Sequence, residues 1–199
     1  METDRDQIKS RERVRDLAEV YTHKREVDAM LDFIPDMFKK IDSSFLEPAC
    51  GNGNFLVEIL VRKLRRITEK THGGTPNWYE FAVLRAAASI YAVDISGENI
   101  SEARHRMRAV IDKAFVEEGL EPTPAFHDAL SVILNANVIQ GDTIKDAQSL
   151  RLIEWTAGNG ETFIRTPTYL EEPENNLFYV APEPQPAIHY SELTAETMP

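Results

Sequence analysis

Cysteine, basic residues and long apolar runs are all scarce in this chain, and each scarcity excludes a class of protein. Cys50 is the single cysteine, so no disulfide can form within the chain and nothing indicates an oxidising compartment. No apolar run approaches the ~18 residues of a membrane-spanning helix, and no secretory signal pattern is present. We therefore expect a cytoplasmic protein with no membrane association.

Lysine and arginine total 22 against 33 acidic residues, which gives a net charge of -11. A chain of this charge repels a polyanion as a whole and gains little from phosphate contacts. We therefore expect DNA to be bound only together with a partner that supplies recognition. The basic run at residues 62–66 is predicted to be the solvated face of its helix.

The chain does contain short apolar segments that alternate with amphipathic ones. Its 199 residues and hydrophobic content of 42% suffice for one domain with appendages. Apolar residues at helical spacing indicate two helices before residue 40, separated near residues 21–24. Buried strands are predicted at residues 43–47, 90–94, 136–142 and 150–155, with helices between the first three. This alternation predicts an α/β protein with a parallel, doubly wound sheet.

The composition divides the chain into three predicted segments. Residues 1–40 form a helical segment, residues 41–166 form the domain with the sheet, and residues 167–199 form an acidic, proline-rich tail. The tail contains no lysine or arginine and cannot bury enough apolar surface to fold by itself. We expect at most residues 176–180 ("NLFYV") to dock as an edge strand, and we interpret residues 166–169 ("TPTY") as a loop.

A glycine turn follows the first predicted strand, in the sequence "EPACGNGNF" (residues 47–55). It lacks the third glycine of the dinucleotide fingerprint and the Gly-Lys-Ser/Thr of a P-loop. The acid at the strand end, Glu47, would repel a phosphate but suits a ligand with an ammonium group, such as S-adenosylmethionine. Asp94, at the end of the second strand, is placed to accept hydrogen bonds from both ribose hydroxyls, and Asp142, at the end of the third, to accept one from an adenine amine. Taken singly, Asp94 could be a helix cap and Asp142 a turn residue.

Four segments resemble the cofactor half of one enzyme family. "FLEPACGNGNFL" resembles the cofactor motif of amino-group DNA methyltransferases of the N6-adenine type, found in restriction-modification systems. "IYAVDISGENISEARHRM" and "NVIQGDTI" are similar to the second and third motifs of that family. "AEVYTHKREVDAML" is similar to the segment before the cofactor motif, although His23 stands where the family has proline. The resemblance covers about residues 11–145.

The resemblance implies a fold, a cofactor and a set of contacts. The fold is the Rossmann-like fold of class I S-adenosylmethionine-dependent methyltransferases, shortened here in its C-terminal half. The cofactor is S-adenosyl-L-methionine, and no metal is implied. The implied cofactor-binding residues lie at strand ends and in the preceding segment: Tyr21, Thr22, Glu47, Pro48, Ala49, Gly51, Gly53, Asn54, Phe55, Asp94, Ile95, Asp142 and Thr143.

The catalytic motif of the family is not found. Family members carry Asp/Asn-Pro-Pro-Tyr/Phe after the fourth strand, which accepts hydrogen bonds from the target amine and stacks on the flipped base. Glu154 and Trp155 are the residues here that could replace this acceptor and ring, although a Glu-Trp pair on a strand is also typical of packing. A cytosine-C5 methylase needs a cysteine nucleophile away from the cofactor motif, and the single cysteine, Cys50, lies within the glycine turn. That class is therefore excluded.

Two hypotheses about function therefore remain. The first is a methyltransferase-family protein of the DNA adenine-N6 type, as a subunit of a restriction-modification or phage-like system whose protein partner supplies DNA recognition. The second is a catalytically inactive S-adenosylmethionine-binding module that acts as a regulator, decoy or assembly subunit. Whether the chain turns over is left open by the sequence.

Overall fold

The computed structural model describes residues 22–70, 75–171 and 181–199. Five α-helices lie in these ranges: α1 (Lys24–Asp32), α2 (Asn54–Lys70), α3 (Pro76–Ala88), α4 (Gly97–Glu118) and α5 (Pro124–Asn137). No helix among the described residues is both long and apolar enough to span a membrane. The first of the two predicted N-terminal helices and the edge strand predicted at residues 176–180 lie outside the described residues.

Three short parallel strands form the first sheet. They are β1 (Phe45–Glu47), β2 (Ile90–Asp94) and β3 (Val138–Gln140), in the order β1-β2-β3. Glu47 pairs with Ala92, and Asp94 pairs with Gln140, so the three strands end at the same edge. The prediction of a mixed α/β protein with a parallel sheet is confirmed for these strands.

Local sequence signals set the helix ends. The hydroxyls of Thr75, Ser96 and Thr123 accept hydrogen bonds from backbone amides of α3, α4 and α5, which satisfies donors that have no partner within the helix. Gly119 ends α4 in the left-handed conformation (φ 67°). Helix α2 packs on α4 and α3 packs on α5, and all four contact β2. The parallel sheet is therefore flanked by helices.

The predicted fourth strand does exist, but not in the parallel sheet. Strand β4 (Arg151–Ala157) pairs antiparallel with β5 (Thr162–Tyr169), which pairs with β6 (Ile188–His189) in a separate sheet. The prediction of a fourth parallel strand is wrong because a short turn joins β4 to β5, whereas parallel neighbours need a long crossover. The loop predicted at residues 166–169 is also wrong, since these residues belong to β5.

The C-terminal residues pack more closely than the composition suggests. Tyr190 and Leu193 are buried in the main core, at 3% and 1% exposure. The Tyr190 hydroxyl donates to the buried Glu80 carboxylate at 2.6 Å, and Arg165 Nη2 donates to the Pro186 carbonyl at 2.8 Å. The expectation of an unpacked tail is wrong for residues 188–193, because this segment packs apolar side chains against the domain. Strand β5 also continues across the boundary suggested at residue 166.

Candidate functional site at the carboxyl edge of the parallel sheet

The glycine turn lies directly on β2. The Cys50 amide donates to the Val93 carbonyl at 3.0 Å, and the Gly53 amide closes the turn on the Cys50 carbonyl at 2.9 Å. Gly51 and Gly53 have φ values of 52° and 88°, which favour glycine. A Cβ atom on Gly53 would lie 2.9 Å from the Cβ of Ala103. Gly53 therefore allows α4 to approach the turn.

Asp94 anchors this turn. Its Oδ2 accepts from the Gly51 amide at 2.8 Å, and its Oδ1 accepts from the Ser96 amide at 2.8 Å and from Asn99 Nδ2 at 3.2 Å. An ionised carboxylate has about four acceptor positions. Asp94, which is buried, therefore keeps about one position for a ligand.

Glu47 is the least satisfied acid at this edge. Among the described residues, its one hydrogen-bond donor is the Ala49 amide, at 3.4 Å. The side chain is half-buried, and burial raises the pKa of Glu47 above its ordinary value. A partly desolvated carboxylate with one long hydrogen bond is stabilised by a cationic donor from a ligand. Glu47 is thus the acid of this edge with the most unused acceptor capacity.

Asp142 caps the turn that follows β3. Its Oδ1 accepts from the Ile144 and Lys145 amides at 3.0 Å each, and the Lys145 ammonium lies 3.3 Å from its Oδ2. These two amides, with the lysine, lower the pKa of Asp142. The hydroxyl of Thr143 donates to the Pro48 carbonyl at 3.2 Å, which brings the loop after β3 against the loop after β1. Asp142 therefore acts as a capping residue of this turn, and about one of its acceptor positions remains for a ligand.

The segment before α1 is joined to the turn by Asn54. Asn54 Nδ2 donates to the Thr22 carbonyl at 2.9 Å, and its Oδ1 accepts from Arg106 Nη1 at 2.8 Å. The same Arg106 nitrogen donates to the Asn52 carbonyl at 2.8 Å. We did not predict Arg106, although its position three residues after Ala103 on α4 is a signal that could have found it. Tyr21 lies outside the described residues.

The other predicted contact residues divide into exposed and packed ones. Pro48 and Ala49 are exposed, and Ile95 is 54% exposed beside Asp94. Phe55 packs against the core instead. The exposed apolar side chain of Ile95 offers a surface for a flat ring next to the acids.

Cys50 is a packed residue. Its side chain is buried, and burial, with smaller contributions from the charges of Asp94 and Glu47, raises its pKa to about 12. The thiolate form that a nucleophile requires is therefore not populated near neutral pH.

Glu154 and Trp155 do not form a joint site. As neighbours on β4 they point to opposite faces of the strand, with Glu154 exposed and the Trp155 ring edge-on to Phe163 at 5.4 Å. The Ile153 amide donates to Asn137 Oδ1 at 3.3 Å, and Asn137 immediately precedes β3. This part of β4 therefore lies beside the amino end of the parallel sheet, away from the carboxyl edge. The structure thus does not bring the predicted acceptor and ring to the acids.

The basic run on α2 is engaged within the protein. Lys63 is fully buried, and Arg62 pairs with Asp32 at 2.8 Å and with Glu58 at 3.0 Å. The prediction of a solvated basic face is therefore wrong for Lys63. A group of His, Cys, Asp and Glu side chains able to hold a metal ion is not found in residues 22–70, 75–171 and 181–199.

Comparison with known proteins gives no family assignment. No family model, no curated protein and no solved structure matches this chain.

Proposed function

We propose that the carboxyl edge of the parallel sheet binds S-adenosylmethionine or its demethylated product. The observation that carries the proposal is the under-satisfied, half-buried Glu47, one turn away from the Gly51–Asp94 hydrogen bond. A carboxylate in this state suits the ammonium group of an amino-acid ligand, and the sequence resemblance includes Glu47 among the cofactor-binding residues.

The acceptor capacities of the three acids agree with this ligand in part. Glu47 has a free oxygen for the ammonium group, and Asp94 keeps about one acceptor position for a ribose hydroxyl. Asp142 retains one position near its Oδ2 for an amine. When bound, S-adenosylmethionine supplies an activated methyl group. We expect the residues of this chain to hold and orient it through these acids.

We assign the chain, on this basis, to a Rossmann-like class I methyltransferase fold that is shortened in its C-terminal half. Strands β1, β2 and β3 with their flanking helices correspond to the cofactor half of that fold. The antiparallel β4-β5-β6 sheet stands where the family has further parallel strands. The resemblance to DNA adenine-N6 methyltransferases then suggests a subunit of a restriction-modification or phage-like system.

The placement of β4 favours a second candidate, a cofactor-binding module without turnover. The Asn/Asp-Pro-Pro-Tyr/Phe motif is missing from the sequence, and neither Glu154 nor Trp155 lies at the carboxyl edge. The net charge of -11 also disfavours unaided DNA binding. A protein partner would then supply DNA recognition, and the chain would act as a regulator, decoy or assembly subunit.

Isothermal titration tests the cofactor proposal. We expect both S-adenosylmethionine and S-adenosylhomocysteine to bind the wild-type chain, and we expect Asp94→Ala to weaken binding by about 1.5 to 3 kcal/mol through lost hydrogen bonds to a charged group. Glu47→Gln should weaken the methionine-containing ligands while leaving adenosine unaffected. The matched control is Glu154→Gln, an exposed acid on β4. Absence of binding heat at millimolar cofactor would sink the proposal.

Transfer of labelled methyl groups to unmethylated genomic DNA separates the two candidates. We expect no incorporation by the purified chain, because the described carboxyl edge presents no base-stacking ring. Incorporation by the wild type that Asp94→Ala abolishes would overturn the inactive-module candidate. Adding extract from the source cell to parallel reactions tests whether a partner restores transfer.

A further inference from the structure

Lys63 is a fully buried lysine that takes no part in the proposed site. Its ammonium group donates to the carbonyls of Ile41 (2.8 Å) and Ser43 (2.6 Å) and to the hydroxyl of Ser89 (2.7 Å). The Nζ atom also lies 5.0 Å from the centre of the Phe45 ring. Ser43 precedes β1 and Ser89 precedes β2, so one side chain on α2 holds the amino ends of both strands.

Below its pKa of about 7, Lys63 carries an ammonium group, and the arrangement matches this charged form. An ammonium group has three donors, and three oxygen acceptors surround it here, whereas a neutral amine would leave one oxygen without a donor. The acidic group that acts on it electrostatically is Asp42, which is itself paired with Arg85 at 2.5 Å. Lys63 therefore satisfies all of its donors without a carboxylate in direct contact.

Burying such a group is costly, since a charge taken from water must recover its solvation from the protein. A methionine of similar length would fill the same space without this cost. The volume that Lys63 fills in the core therefore does not account for its presence there. What it contacts is the point where the chain enters β1 and β2.

We propose that Lys63 is a positioning residue for the glycine turn, because it fixes β1 against β2 and thereby holds the Gly51 amide against the Asp94 carboxylate. Its importance for the cofactor rests on the proposed function above, while its effect on the turn does not.

The short strands make this transmission physically reasonable. Strand β1 has three residues and spans roughly 10 Å from end to end. Its pairing with β2 begins with the Phe45 amide on the Ser89 carbonyl, at 2.9 Å, next to the Lys63 contacts. A shift at this end displaces Glu47 and the turn at the other end, because few hydrogen bonds lie between to absorb it.

The test is the coupling across the Gly51–Asp94 hydrogen bond, measured by NMR between the Gly51 amide nitrogen and the Asp94 side-chain carboxyl carbon at pH 6 without cofactor. We expect Lys63→Met to reduce this coupling by half or more. The matched control is Leu60→Ala, a fully buried position one turn earlier on α2 that loses packing but none of the Lys63 hydrogen bonds. Leu60→Ala should keep the coupling while lowering stability.

An unchanged coupling in Lys63→Met, or an equal loss in Leu60→Ala, would overturn the positioning role. Should Lys63→Met fail to fold, Ser89→Ala removes one of the three acceptors and is expected to weaken the coupling; an unchanged coupling there would count against the proposal in the same way. Cofactor affinity, measured separately, should fall about tenfold in Lys63→Met. If the wild type binds no cofactor, the proposed function fails, and the coupling alone still decides the effect on the turn.

Discussion

At the scale of single residues, the site depends on how many hydrogen-bond positions each acid has left. Most acceptor positions of Asp94 are occupied by donors of the glycine turn and the start of α4, and most of those of Asp142 by donors of the loop after β3. Glu47 accepts one long hydrogen bond from the described residues. Three acids that look alike in the sequence thus have different roles. Glu47 is the acid with the most unused hydrogen-bond acceptor capacity.

Lys63 should make stability depend on pH in an identifiable window. Burial lowers its pKa from 10.5 to about 7 in the folded protein, so between these values the unfolded chain binds a proton that the folded chain does not. The free energy of unfolding of the wild type, relative to Lys63→Met, should therefore rise with pH from about 7 to 10.5, by at most about 5 kcal/mol. Urea titrations of both proteins at several pH values measure this difference. A flat difference would show that Lys63 keeps its ordinary pKa in the fold.

At the scale of the elements, the turn and helix α4 are fitted to each other at Gly53. Gly53→Ala should destabilise the protein by about 2 to 4 kcal/mol, because it adds left-handed strain and a 2.9 Å contact with Ala103. Gly119→Ala is the matched control: its φ is also positive (67°), but a Cβ there meets no atom within 4 Å. Equal losses for the two variants in urea unfolding would contradict the packing role of Gly53.

Strand β4 gives a second prediction at this scale, since its position implies packing and not catalysis. Trp155→Ala should lower the free energy of unfolding by about 2 to 3 kcal/mol through lost contact with Phe163 and the core. Cofactor affinity should stay unchanged within a factor of two. Glu154→Ala, exposed on the other face of β4, should change neither quantity appreciably. Weakened cofactor binding in Trp155→Ala would instead place the ring at the site.

At the scale of the whole molecule, the C-terminal segment is part of the core. The buried Glu80 carboxylate accepts from the Thr123 amide at 2.7 Å, from the Thr123 hydroxyl at 2.9 Å and from the Tyr190 hydroxyl at 2.6 Å. This cluster joins α3, the loop before α5 and residues far along the chain. The hydrogen bonds of this cluster help to hold the second sheet against the helices.

Tyr190→Phe should therefore destabilise the whole domain by about 1 to 3 kcal/mol, the scale of one hydrogen bond to a charged group. Thermal unfolding of the two proteins measures the loss. In limited proteolysis, we expect residues 188–193 to resist cleavage in the wild type and to be cut sooner in the variant. Rapid removal of these residues from the wild type would contradict their place in the core.

Local patterns in the sequence were sufficient for the half of the fold that contains the parallel sheet. The third strand ends at Gln140, two residues before its predicted end. The strands ending at Glu47 and Asp94, the glycine turn and the Ser96 cap are each set by residues within a few positions of one another. Short-range rules of strand length, turn geometry and helix capping therefore predict them. The convergence of the strand ends also follows, because parallel strands joined by helices end at one edge.

Contacts between distant residues decided the rest. The partners Tyr190 and Glu80 are 110 positions apart, and Lys63 reaches Ser89 across 26. The sequence shows an acidic tail and a basic run. It does not show that part of the tail packs into the core, or that Lys63 in the basic run is fully buried. The antiparallel direction of β4 likewise depends on its partner strand β5, part of which the sequence led us to interpret as a loop. Such contacts form because burying apolar surface outweighs the local preference of polar segments for water, and that balance is fixed only when the whole chain has folded.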